Sequence, residues 1–173
     1  MTDKVYNTLP NNCWFWCSVR IFNNYVKYNG IPKDLSNDML KQVINGEEVN
    51  IEDYDEETKK QADITKDLNG NAVELLTLNG CYYSNCFPIR NHRNGYIDLQ
   101  YSKLPPLAFL LQYPGHYACI LYEGNEYILY DQTMDKLKTA KIYYDKMNRV
   151  MRIPVHRQYT NIYVYDIIEE NNN

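Results

Sequence analysis

The sequence predicts an α+β protein of one domain, with a helical N-terminal part followed by a C-terminal antiparallel β-sheet. Three observations carry that expectation. From residue 13 to about residue 79, apolar residues recur at helical spacing between loops rich in Asn and acidic residues. From residue 81 to residue 168, short Tyr/Ile/Val/Leu runs alternate with turn residues. Helices precede strands, so the pattern is not a repeated βαβ unit. With 173 residues, 45% hydrophobic and 23% charged, the chain can enclose one core and is too apolar to be disordered. Residues 1–170 are expected to form the domain, about 1–80 helical and 81–168 in the sheet, with 171–173 a frayed tail.

The first helix has the clearest signature. Pro10-Asn11-Asn12 precedes it, and Asn12 suits the N-cap because its side-chain oxygen can accept an orphan backbone N–H. Trp14, Cys17, Ile21 and Tyr25 form one stripe, and Phe15, Val19, Phe22 and Val26 form an adjacent one. Ser18, Arg20, Asn23, Asn24 and Lys27 are left as the polar side, so the helix is expected to be largely buried and central to the domain. Gly30 and Pro32 supply the stop. Further helices are expected over 37–44 and 57–66, and a short one runs from Asn71 through Leu78 to end near Gly80. Between them, residues 46–57 carry seven acidic side chains, the pattern of a solvated loop. Strands are expected over 96–100, 107–112, 117–122, 127–131, 140–144, 150–153 and 161–168.

Charge and composition exclude several function classes. A formal net charge of −4 argues against a dedicated nucleic-acid binder. No apolar run approaches the length of a membrane span, and the first ten residues lack the apolar core of a secretory signal. Five cysteines, an odd count without an export signal, fit free thiols in a reducing compartment. The excess of Tyr (18) and Asn (21) matches AU-rich codons and hence an AU-rich virus or microbe.

Cys13 stands at the start of the first helix, where the partial positive charge of the helix terminus favours a thiolate. A second constellation lies in the sheet. His116 begins an apolar strand, Glu123-Gly124-Asn125-Glu126 forms a turn, and a second strand runs to Asp131. A loop of two or four residues gives the same register, with Ala118 facing Asp131, Ile120 facing Leu129 and Tyr122 facing Tyr127. His116 and Asp131 then share a face as diagonal neighbours, with Cα atoms roughly 7–8 Å apart. That spacing suits an imidazole Nδ1–H bonded to the carboxylate. Cys13, His116 and Asp131 together make a set for nucleophilic catalysis.

Other reactive side chains read as structural. Cys17 and Cys119 fall on buried faces, and His156 lies in a basic surface loop. Cys81 and Cys86 with His92 lack the second cysteine pair of a zinc finger, so no metal and no cofactor are expected. Tyr117 is expected beside the base, and the remaining strand tyrosines are expected to pack the sheet.

The run from Pro10 through Cys13-Trp14-Phe15-Trp16-Cys17 to Phe22 resembles the nucleophile helix of viral papain-like cysteine proteases, among them the aphthovirus leader protease and the coronavirus and torovirus enzymes. The His116 segment is similar to the histidine strand of the leader protease, whose acid follows fifteen residues later, the spacing of Asp131. Gly115-His116-Tyr117 also looks like the histidine box of coronavirus papain-like and ubiquitin-specific proteases. The resemblance covers about thirty-five residues in these two blocks. It implies a papain-like fold, a central nucleophile helix packed on the sheet, with Cys13 as nucleophile, His116 as base and then acid, and Asp131 as the orienting acid. By the same likeness Asn7 completes the oxyanion hole, with Asn12 as the alternative.

The implied function is hydrolysis of peptide or isopeptide bonds through a thioester. The implied substrates are a viral polyprotein and ubiquitin or a ubiquitin-like modifier, handled by a monomer in the host cytoplasm. Two other readings use the same residues: a transglutaminase-like acyltransferase, or a catalytically inactive ubiquitin-binding module.

Overall fold

The computed structural model describes residues 13–36, 40–41, 71–90, 95–101, 106–133, 136–155 and 159–168. The chain divides into two compact units, Met1–Tyr82 and Tyr83–Asn173. The helix expected over 57–66, the acidic run 46–57 and the tail 171–173 lie outside the described residues. Of the helix expected over 37–44, Leu40 and Lys41 are described, and both are helical.

In the first unit, α1 spans Cys13–Asn29 and buries Phe15, Trp16, Cys17, Val19, Ile21, Phe22 and Tyr25. Burial reaches further round the helix than apolar spacing predicts, because Ser18 and Asn24 are buried as well. Ser18 tolerates this position because its hydroxyl donates back to the Trp14 carbonyl (2.6 Å). Gly30 ends the helix in the left-handed conformation, and its N–H donates to the Val26 carbonyl at 2.8 Å. The second helix, α2, spans Ala72–Leu78. Asn71 caps it, its Oδ1 accepting from the N–H groups of Val73 (3.0 Å) and Glu74 (3.3 Å).

Buried Asn79 then joins α2 to the segment that follows α1. Its Nδ2 donates to the Leu75 carbonyl (2.8 Å), and its Oδ1 accepts from the Ser36 N–H (3.1 Å). Gly80 closes the connection at φ +86°, where a Cβ would come within 2.6 Å of Pro32 Cβ. Both the backbone conformation and the close approach demand glycine there. Gly80→Ala is expected to lower stability by about 2–4 kcal/mol, summing left-handed strain and overpacking, measured as a shift of the urea midpoint.

The second unit is built from two antiparallel sheets. The larger has the order β1 (Asn85–Arg90), β9 (Tyr159–Asp166), β3 (Pro106–Tyr113), β4 (His116–Glu123), β5 (Glu126–Thr133), β6 (Lys136–Ile142). The smaller has the order β2 (Gly95–Gln100), β8 (Val150–Val155), β7 (Tyr144–Asp145). Each sheet has an apolar face, by period-two alternation in β2 and β8 and within the continuous apolar runs of β3 and β4, and these faces meet. Phe109, Leu111, Ala118, Ile120, Ile162 and Val164 of the larger sheet share one core with Met151, Ile153 and Val155 of the smaller, and Ile97 and Leu99 pack against it. Tyr127 lies within this core and meets it without an unpaired hydroxyl, which donates to the Pro106 carbonyl (2.8 Å).

The structure corrects the expected fold class. The described residues are mostly antiparallel β-sheet, 51% strand against 25% helix, so the papain-like arrangement of a central nucleophile helix packed on a sheet does not hold. The physical reason lies in the pairing of faces: one apolar face of the larger sheet is covered by a second sheet of the same unit. Two strands also differ from expectation. β1 is unpredicted because Pro88 interrupts it, and β1 accommodates the proline as an edge strand. The strand expected over 140–144 is divided between β6 and β7, which belong to different sheets.

Candidate active site

Two tight turns place His116. The first, Pro114-Gly115, joins β3 to β4, with Gly115 at φ +70° as a type II turn requires at its second central position. Tyr113 and His116 are therefore directly paired across the hairpin. The second, Gly124-Asn125, joins β4 to β5 with both residues at positive φ (55° and 67°), the signature of a type I′ turn. The Tyr122 hydroxyl donates to Asn125 Oδ1 at 3.0 Å and braces that turn.

The resulting register pairs Ile120 with Leu129 and Tyr122 with Tyr127, as the turn chemistry predicts. His116 and Asp131 consequently project from one face of the sheet. Their side chains meet at 2.6 Å, each 27% exposed. The contacting nitrogen is Nε2, not the expected Nδ1. An ionised carboxylate only accepts, so opposite it Nε2 is the nitrogen that carries the proton. A histidine reaching diagonally to the next strand presents its distal nitrogen, which residue spacing alone does not specify.

Two further side chains border the pair. The Tyr113 ring lies nearly parallel to the His116 ring, at 8° and 6.2 Å between centroids. Its hydroxyl donates to the Pro154 carbonyl of β8 (3.4 Å). On the neighbouring strand, Lys138 of β6 is the direct cross-strand partner of Asp131. Neither residue stands out in the sequence. The usable signal for Tyr113 was its position as the residue that closes a Pro-Gly turn with His116.

The other face of the same sheet holds a separate polar cluster. Tyr117, expected beside the base, points there and accepts a hydrogen bond from Gln112 Nε2 (2.9 Å). Gln112 Oε1 in turn accepts from Asn161 Nδ2 at 2.9 Å. Cys119 is buried on this face.

Cys13 belongs to the first unit and is the first residue of α1, half-buried, with no acidic residue in the first turn to oppose a thiolate. Cys17, one turn on, is fully buried. Asn7 and Asn12, the expected oxyanion donors, lie outside the described residues, as do His92 and His156. All five cysteines are thiols. Burial pushes the Cys81 thiol up to about 12, whereas Cys86 is exposed. Among the described residues no cluster of three or more His, Cys, Asp or Glu could hold a metal ion. No helix among them is long and apolar enough to cross a membrane.

Comparison with protein families, curated proteins and solved structures finds no match for the chain.

The site geometry rests on the β4–β5 turn. Asn125→Val places a β-branched side chain at positive φ and removes the Tyr122 contact, so it is expected to cost about 1–3 kcal/mol. Thermal denaturation checks this, and the His116 side-chain resonances should shift in the same variant.

Proposed function

We propose that the chain is a thiol hydrolase that cleaves peptide or isopeptide bonds, with Cys13 as nucleophile and the His116–Asp131 pair as its base. The observation that supports this most is the 2.6 Å His116–Asp131 contact. The pair borders an apolar sheet core, where an imidazole and a carboxylate lower stability unless matched. The likeness of the Cys13 and His116 segments to viral cysteine proteases adds to it, as a likeness of motifs and not of fold. Asn7, or Asn12, would complete the oxyanion hole. The substrates that fit the likeness are a viral polyprotein and ubiquitin or a ubiquitin-like modifier. Five thiols without a disulfide suit the reducing host cytoplasm.

In this reaction the Cys13 thiolate attacks the scissile carbonyl while His116 Nδ1 holds the thiol proton. The C–N bond breaks as Nδ1 returns that proton to the leaving amine, and the acyl group stays on Cys13 as a thioester. Water then adds to the thioester carbonyl and gives a proton to Nδ1. The C–S bond breaks, the acid leaves, and the thiolate–imidazolium pair is restored. Asp131 holds the tautomer that keeps Nδ1 available for each transfer.

A ubiquitin probe carrying a C-terminal electrophile, together with a ubiquitin-chain cleavage assay, tests the proposal. Wild-type protein is expected to form the adduct, and Cys13→Ala to lose both labelling and cleavage. Full activity in Cys13→Ala would sink the proposal. Amine-dependent product formation in place of hydrolysis would assign the set to an acyltransferase. Binding of ubiquitin without labelling would assign it to an inactive binding module.

Asp131→Asn keeps the shape of the side chain but removes its charge and alters the hydrogen bond. Turnover is expected to fall by roughly 10²–10⁴-fold with little change in melting temperature, read by steady-state kinetics beside thermal denaturation. A loss of melting temperature with turnover unchanged would show a purely structural pair.

A further inference from the structure

We propose that Tyr113 is a positioning residue for His116, fixing the ring orientation in which Nε2 faces Asp131 and Nδ1 exchanges the proton. The proposal rests on the thiol-hydrolase reading for its kinetic consequence, while its structural content stands on three observations within the sheet unit. First, Tyr113 and His116 are directly paired across the two-residue Pro114-Gly115 turn. A turn of that length, with proline restricting one φ and glycine taking +70° at the other, leaves little freedom in the spacing of the two Cα atoms. Second, the two rings lie within 8° of parallel at 6.2 Å, an offset stack inside the range where aromatic faces attract.

Third, Tyr113 is itself held. It is 6% exposed and belongs to the core between the sheets, and its hydroxyl is tied to the Pro154 carbonyl of the smaller sheet (3.4 Å). The hydrogen bond to Asp131 holds one edge of the imidazole. The buried Tyr113 ring, lying nearly parallel to it, opposes rotation of the imidazole and so helps keep Nε2, not Nδ1, toward Asp131. The arrangement needs no contact between Tyr113 and substrate, which separates its role from that of Cys13 and His116.

Two substitutions divide the contributions. Tyr113→Phe keeps the ring face and removes the tie to Pro154. Tyr113→Leu keeps apolar volume and removes the face. The chain has three histidines, so long-range ¹H–¹⁵N spectra can resolve the His116 nitrogens and read its tautomer directly. Wild-type protein and Tyr113→Phe are expected to show one tautomer with Nε2 protonated, and Tyr113→Leu a mixture. With the ubiquitin electrophile probe, the rate of Cys13 labelling is expected to fall about tenfold in Tyr113→Leu and about twofold in Tyr113→Phe. Should Tyr113→Leu fail to fold, Tyr113→Met serves in its place.

A single Nε2-protonated tautomer in the Leu or Met variant, with an unchanged labelling rate, overturns the proposal. If wild-type protein is not labelled at all, the hydrolase reading fails, and the tautomer spectra still decide whether Tyr113 sets the ring.

Discussion

Everything distinctive in the sheet unit depends on the register of one hairpin, and that register depends on two residues at positive φ. Gly124 and Asn125 turn the chain with the handedness that matches strand twist, so β4 and β5 pair without a bulge at the turn. Side chains alternate with a period of two. A slip of one residue would therefore send Asp131 to the face that holds Tyr117 and Cys119, and leave His116 alone at the edge of an apolar core. The tight turn and the half-buried pair are thus parts of one constraint, since the cost of stranding either polar group penalises every other register.

The core makes that constraint affordable. A histidine and an aspartate on an apolar face are tolerated because they satisfy each other and remain partly open to water, at 27% exposure. Around them the two sheets close with aliphatic side chains, and with tyrosines whose hydroxyls find carbonyls at strand ends. Tyr127 reaches Pro106 and Tyr113 reaches Pro154. The helical unit uses the same economy on a smaller scale, with Ser18 hiding its hydroxyl on Trp14 and Asn79 joining two segments through one amide.

What could be read from the chain beforehand follows from how local each cause is. The β4–β5 register was legible because Glu-Gly-Asn-Glu permits a loop of two or four residues, and both give the same pairing. The diagonal placement of His116 and Asp131 followed from it. The choice of Nε2 did not, because strand spacing fixes where the ring is attached and not how it is rotated about its own side-chain bonds. The sandwich was hidden for a related reason. The apolar runs of β3 and β4 show that these strands enter a core, but not that Ile97, Leu99, Met151 and Ile153, distant in sequence, would cover one of their faces. A helix with two apolar stripes looked the natural cover, and the fold class went wrong at that step. Burial of Ser18 was invisible to a pattern that counts serine as polar.

The aromatic residues are divided between the units in a way that gives each its own spectroscopic voice. Both tryptophans, Trp14 and Trp16, belong to α1, whereas thirteen of the eighteen tyrosines fall within Tyr83–Asn173. Tyr101, Tyr122, Tyr127 and Tyr144 lie in mutual ring contact there, with centroids as close as 4.8 Å. Tryptophan emission therefore reports on the helical unit, and the near-ultraviolet dichroism of coupled tyrosines reports mainly on the sheets. Two melting curves recorded on one sample would show whether the units lose structure together or in turn, with no label added to either.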